Sequence, residues 1–164
     1  MLIRNWMKSP VYTVKLHDSV AHARVLLAQH RFNQLPVIRE QNLMGIVTDR
    51  DLRDAPEMIA LASLETGENK QPSLPDPADI DIEQVMTSNP MTLSGDDTIE
   101  QAARIMVQER IGSVPIVEQG HLVAILTRTD VLQAFLSTSP AHKTERSRHV
   151  RASKKSKLPR NSSS

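Results

Sequence analysis

The chain has 164 residues, enough for one compact module or two small ones sharing a core, and too few for separate catalytic and regulatory domains. It contains no cysteine, which excludes disulfides, thiolate zinc and a cysteine nucleophile, and its six histidines are scattered without ligand spacing. The formal net charge of +1 conceals a basic end: from Pro140 onward eight basic residues face Glu145 alone, giving +7, and the remainder is −6.

In chain order, the opening "MLIRNWMKSPVYTV" has no long apolar core, and no later run approaches the roughly 18 to 20 residues that span a bilayer. A cytoplasmic protein without membrane contact is the expectation. The extended piece "VYTV" leads to Asp18 and Ser19, whose side chains suit a helix start, and Val20, Ala23 and Leu27 follow at helical spacing. Next come "LPVI" and "LMGIVT", split by the polar turn "REQN"; these short β-branched runs predict a buried hairpin. After Thr48 the pattern is helical again. "MIALASL", Met58 to Leu64, is far too short to cross a membrane and predicts a packed helical turn.

From residue 82 the pattern recurs. "PMTL" leads to Asp97 and Thr98, where Asp97 with Glu100 or Thr98 with Gln101 has capping-box spacing; Ile99, Ala102, Ala103 and Met106 mark a helical face. "VPIV", "EQGH" and "LVAILT" repeat the hairpin, and Thr127 and Asp130 open the last helix. The tail "KTERSRHVRASKKSKLPRNSSS" has almost nothing apolar to bury, so ordering it would cost backbone entropy without return, and disorder is expected there.

A shift of 79 residues superimposes Ile3–Ala55 on Ile82–Ala134 without a gap, with about a quarter of the pairs identical, among them Met7/Met86, Thr13/Thr92, Asp18/Asp97, Pro36/Pro115, Thr48/Thr127 and Asp51/Asp130. The predicted organisation is a first repeat over 1–55, a linker over 56–81, a second repeat over 82–138 and a basic tail over 139–164. Each repeat reads strand, helix, strand, strand, helix. One such unit exposes a sheet face it cannot cover, so the predicted fold is α+β, a sandwich-like pair packed about a pseudo-twofold axis with two equivalent clefts.

The element order, "QLPVI" and "SVPIV" ahead of the hairpins, and the motif G-h-x-T-x-x-D, met in full by Gly45, Thr48 and Asp51, resemble the tandem CBS domain, named after cystathionine β-synthase. "IRNWM" and "GIVTDRDLRDA" are most similar to small stand-alone bacterial CBS pairs of the acetoin-utilisation AcuB type. The resemblance implies a regulatory homodimer without catalysis that takes AMP, ADP, ATP or a related adenosyl ligand between its repeats, requires no other cofactor, and passes its signal to a protein the sequence does not name. It implies that Asp51 and Asp130 accept from ribose hydroxyls, that Thr48 and Thr127 bond ribose or phosphate, and that the base lies near Thr13 and Thr92.

The residues themselves leave simpler readings open. T-x-x-D at a strand-to-helix junction is also a plain cap, and only its duplication in a matching repeat favours a ligand. Gly45, lacking a β-carbon, admits a ligand close to the backbone, whereas Ala124 in the second copy narrows that approach. Gly112 stands opposite Asn33, so the other wall differs too, and the first cleft is favoured. Arg50 reaches a phosphate or pairs with Asp49 or Asp54, the ion pair being preferred; Thr129 holds its place in the second copy. His22 and His30, eight apart, lack metal spacing and read as surface residues. The competing function is nucleic-acid association through the basic tail, which has the charge for phosphates but no aromatic to stack bases.

Overall fold

The computed structural model describes residues 1–9, 11–65 and 73–138. The expected disorder of the tail, and any nucleic-acid contact made through it, lie outside the described residues. In chain order the elements are β1 (Val14–Lys15), α1 (Val20–His30), β2 (Gln34–Arg39), β3 (Asn42–Thr48), α2 (Asp49–Glu65), β4 (Thr87–Ser88), α3 (Ile99–Gln108), β5 (Ser113–Glu118), β6 (His121–Thr127) and α4 (Arg128–Thr138). This is the α+β fold expected, strand-helix-strand-strand-helix, although in the second copy the first strand shrinks to one parallel bridge, Leu93 to Ile116.

The helices begin where local chemistry permits. Ser19 Oγ accepts from the His22 amide at 3.1 Å. Of the two capping boxes open in the second copy, Thr98 with Gln101 forms: Thr98 Oγ accepts from the Gln101 amide and Gln101 Oε1 accepts from the Thr98 amide. Asp97 instead accepts from the Ser94 amide at 2.7 Å.

The helix that opens after Thr48 runs past Ala55, through Pro56 to Glu65. A proline inside a helix offers no amide to the carbonyl four residues before it. Here that orphan is the Leu52 carbonyl, and the Arg24 guanidinium donates to it from Nε at 3.1 Å and Nη2 at 2.6 Å. "MIALASL" is therefore helical as predicted, but only half packed: Ile59 lies on the core, whereas Met58, Leu61 and Leu64 are exposed. No helix among the described residues is long and apolar enough to cross a membrane.

The sheet order is β1-β2-β3-β6-β5, with β4 on β3. Both hairpins are antiparallel and share a register at the same offset, Gln34 opposite Thr48 and Ser113 opposite Thr127, each with a bulge at the equivalent place.

The spatial halves do not follow the sequence halves. Ile3 of the first copy is fully buried with Ile99, Met106, Val114, Leu126 and Val131 of the second, and Trp6 and Met7 pack on the same cluster. Reciprocally, Ile80 and Ile82 are buried with Val14, Val20, Leu35, Val47 and Leu52. Backbone bonds fix the exchange in matching pairs: the Ile3 amide donates to the Asp97 carbonyl and the Ile82 amide to that of Asp18, both at 2.9 Å. Likewise the Ile99 amide donates to Met1 and the Val20 amide to Ile80, both at 2.8 Å. Each copy thus lends its leading segment to the other, in the reciprocal way a pseudo-twofold relation requires.

Candidate functional site

The T-x-x-D motif closes a ring at the start of each following helix. Asp51 Oδ2 accepts from the Thr48 amide at 2.8 Å and from the Thr48 hydroxyl at 2.7 Å, while Thr48 Oγ accepts from the Asp51 amide at 3.2 Å. Asp130 Oδ2 does the same with the Thr127 amide at 2.9 Å and hydroxyl at 2.5 Å, and the Asp130 amide donates to Thr127 Oγ at 3.3 Å. The β-strand register places the ring at the C-terminal end of β3 or β6, beside Gln34 or Ser113 of the neighbouring strand. The cap is therefore real in both copies, and it engages only one oxygen of each carboxylate. The other, Oδ1, takes no part in either ring.

The two rings differ in surroundings. Asp51 is half-buried, and no cation pairs with it among the described residues. Asp130 is buried, its side chain 3% exposed, and Lys8 Nζ lies 2.9 Å from its Oδ1. Lys8 comes from the borrowed leading segment, which touches β6 through the bridge Lys8 to Ile125. The equivalent residue in the other copy is Thr87, in β4, paired with Ile46. Burial pushes the Asp130 carboxyl up, but the Thr127 hydroxyl, the Lys8 ammonium and the Thr127 amide outweigh it and hold the group below the ordinary carboxylate range.

A carboxyl lowered in the folded state adds stability above its unfolded pKa, and that contribution is lost as pH falls through the folded value. Melting temperature should accordingly drop below about pH 4, and Lys8→Met should lower the plateau at neutral pH and flatten the acid limb. Parallel acid limbs for the two proteins, followed by circular dichroism, would show that Lys8 does not hold Asp130.

A β-carbon at Gly45 would lie 2.6 Å from Met86 Sδ and 2.8 Å from the Thr87 carbonyl, so the segment Met86–Thr87 of this same chain makes a close approach that the glycine permits. Ala124 carries the methyl that Gly45 lacks; it is fully buried in the second core, and the segment beside it makes a single bridge where β4 makes a two-residue strand. Arg50 pairs with Asp54 at 3.6 Å and is highly exposed, and Arg53 pairs with Asp49 at 3.1 Å. Thr13 is half-buried just ahead of edge strand β1, and Thr92 is exposed ahead of the Leu93 bridge; β2 separates Thr13 from Thr48.

His22 is exposed, while His30 packs against Tyr12 with ring centroids 4.0 Å apart. No cluster of histidine and acidic side chains suited to a metal occurs among the described residues. Sequence reasoning missed Lys8. Its only trace is a lysine aligned with a threonine, and the repeat alignment does not say which copy the leading segment packs on.

The CBS domain model matches residues 3–57 and 82–137. A CBS domain-containing protein of Dictyostelium discoideum is 28% identical over 138 residues, which are 83% of this chain and 92% of that one. Inosine-5′-monophosphate dehydrogenase of Korarchaeum cryptofilum is 34% identical over 122 residues, 74% of this chain but 21% of the enzyme. Among solved structures, CBSX2 of Arabidopsis thaliana in complex with AMP is 28% identical with a TM-score of 0.67, covering 83% of this chain and 96% of that one. The CBS domain pair of protein MJ0100 in complex with 5′-methylthioadenosine and S-adenosyl-L-methionine is 28% identical with a TM-score of 0.63, covering 82% and 99%. The AcuB protein of Vibrio cholerae shares the fold, at 20% identity and a TM-score of 0.64 over 84% of this chain and 91% of that one.

Proposed function

Because the chain belongs to the CBS domain family, we propose that this CBS pair is a regulatory module binding adenosine nucleotides in two clefts, one headed by Thr48 and Asp51, the other by Thr127 and Asp130. The observation that carries the reading is the half-used carboxylate: in each copy the cap engages Oδ2 alone, leaving Asp51 Oδ1 without a hydrogen bond among the described residues and Asp130 Oδ1 held only by the exposed Lys8 side chain. An anionic acceptor of this kind suits the cis-diol of a ribose. The Thr48 and Thr127 hydroxyls stand at helix starts, where free amides favour phosphate, and Thr13 and Thr92 lie on the side assigned to the base. Similarity to pairs that hold AMP, or 5′-methylthioadenosine with S-adenosyl-L-methionine, supports an adenosyl ligand. Gly45 enters through packing rather than contact.

Signalling follows from the exchanged leading segments. Each cleft lies beside a segment borrowed from the other copy, so a ligand that prefers one placement of that segment shifts the relation between repeats. Exposed Met58, Leu61 and Leu64 on α2, with Leu132, Phe135 and Leu136 on α4, supply apolar surface for a twofold dimer that passes the change to a regulated protein. No catalysis is proposed, since the duplicated polar groups act as acceptors and caps.

A ligand held only by the native state at 100 times its dissociation constant stabilises it by about 2.7 kcal/mol, which raises the melting temperature by several degrees. Such a rise is expected with at least one of AMP, ADP and ATP. Unchanged melting with all three and with S-adenosylmethionine at millimolar concentration would overturn the reading.

A further inference from the structure

Among the described residues Ser113 Oγ is a buried side-chain atom without a hydrogen-bond partner, and Asp130 Oδ1, also buried, takes no part in the cap. Both belong to the second copy, and Ser113 is the register partner of Thr127, whose hydroxyl binds Asp130. These two buried atoms therefore mark one cleft and not its twin, where Gln34 and a half-buried Asp51 hold the same places. Among the described residues the charge compensating Asp130 Oδ1 is the Lys8 ammonium at 2.9 Å, on a side chain that is itself 71% exposed.

We infer that Lys8 makes the second cleft selective for ribosides carrying a 5′-phosphate, while the first cleft, with Thr87 in that place, discriminates far less. This rests on reading the clefts as nucleoside sites. A diol that reaches Asp130 Oδ1 takes the acceptor Lys8 now holds. Breaking that pair is costly because Asp130 is buried, and the cost is recovered only if the ammonium finds a new anion close by. The stem of a lysine is flexible, and the Lys8 segment is tied to β6 by one bridge, so the ammonium can move from the carboxylate to a phosphate attached to the same ribose. An uncharged riboside leaves Lys8 to water and gains nothing in exchange. Lys8 is then both latch and phosphate ligand.

The test is calorimetric titration of AMP and of adenosine into full-length protein carrying Asp51→Asn, which removes the first cleft's acceptor, with and without Lys8→Thr. AMP should bind more tightly than adenosine by about tenfold to a hundredfold, the worth of a charge-assisted hydrogen bond. With Lys8→Thr the two affinities should converge from both sides, AMP weakening and adenosine tightening. Lys8→Arg keeps the charge and should keep the preference, which guards against a folding defect in the threonine variant. An AMP preference that survives Lys8→Thr would overturn the inference and leave the nucleoside reading standing. If wild type binds but Asp51→Asn binds neither ligand, the second cleft is not a site and the inference fails alone. If wild type binds neither, both fail together.

Discussion

Ile3→Ala and Ile82→Ala should each cost about 2 to 5 kcal/mol of unfolding free energy, the range for truncating a fully buried isoleucine without collapse of its site. Against the 5 to 15 kcal/mol that stabilises a typical domain, either loss leaves a marginal protein. The place of the damage is the informative part. Ile3 belongs by sequence to the first copy and by packing to the second, so its truncation should first expose the amides of α3, β5 and β6. Ile82 should do the reverse, loosening α1, β2 and β3. Denaturant unfolding gives the magnitude, and hydrogen exchange read by segment gives the location. Loss of protection confined to β2 and β3 in the Ile3 variant would refute the exchange of leading segments.

That exchange was not legible in the sequence, for a definite reason. An offset of 79 says that Ile3 and Ile82 are equivalent, and equivalence is satisfied equally whether each segment packs on its own copy or on the other. The helices and hairpins were legible because their signals are local: Ser19 and Thr98 cap, Val20, Ala23 and Leu27 fall on one face, and "REQN" interrupts two β-branched runs. The linker was placed from Pro56 because the repeat match ends at Ala55, while the helix that continues through Pro56 depends on the guanidinium of Arg24, which satisfies Leu52 from far away in sequence. Gly45 was read as room for a ligand, and β4 was not foreseen there because both demand the same missing β-carbon. Lys8 was invisible for the same reason as the exchange. Its meaning depends on which aspartate it meets.

Asp51→Asn should reduce nucleotide affinity in the first cleft far more than it reduces stability, because the two oxygens of this carboxylate carry different duties. Oδ2 closes the ring with the Thr48 amide and hydroxyl, and an asparagine oxygen turned to the same place still accepts from both. The Asp51 amide donates to Thr48 Oγ regardless of side chain, so the helix keeps half its cap in any case. The stability cost should thus stay below the roughly 1 kcal/mol of losing a cap outright. The Oδ1 position, by contrast, becomes an amide nitrogen, which donates where a ribose hydroxyl also needs to donate, and the charge that would strengthen those bonds is gone. Charge-assisted hydrogen bonds contribute about 1.5 to 3 kcal/mol, so AMP affinity at this cleft should fall by about tenfold to a hundredfold. Melting of the free protein and of the AMP-saturated protein separates the two duties. A variant that melts early when free yet keeps its full AMP shift would mean that the ring is a cap alone. Asp51→Ala then serves as the complement: it removes both duties at once, and it should lose affinity as the asparagine variant does while also melting lower by the cap's share.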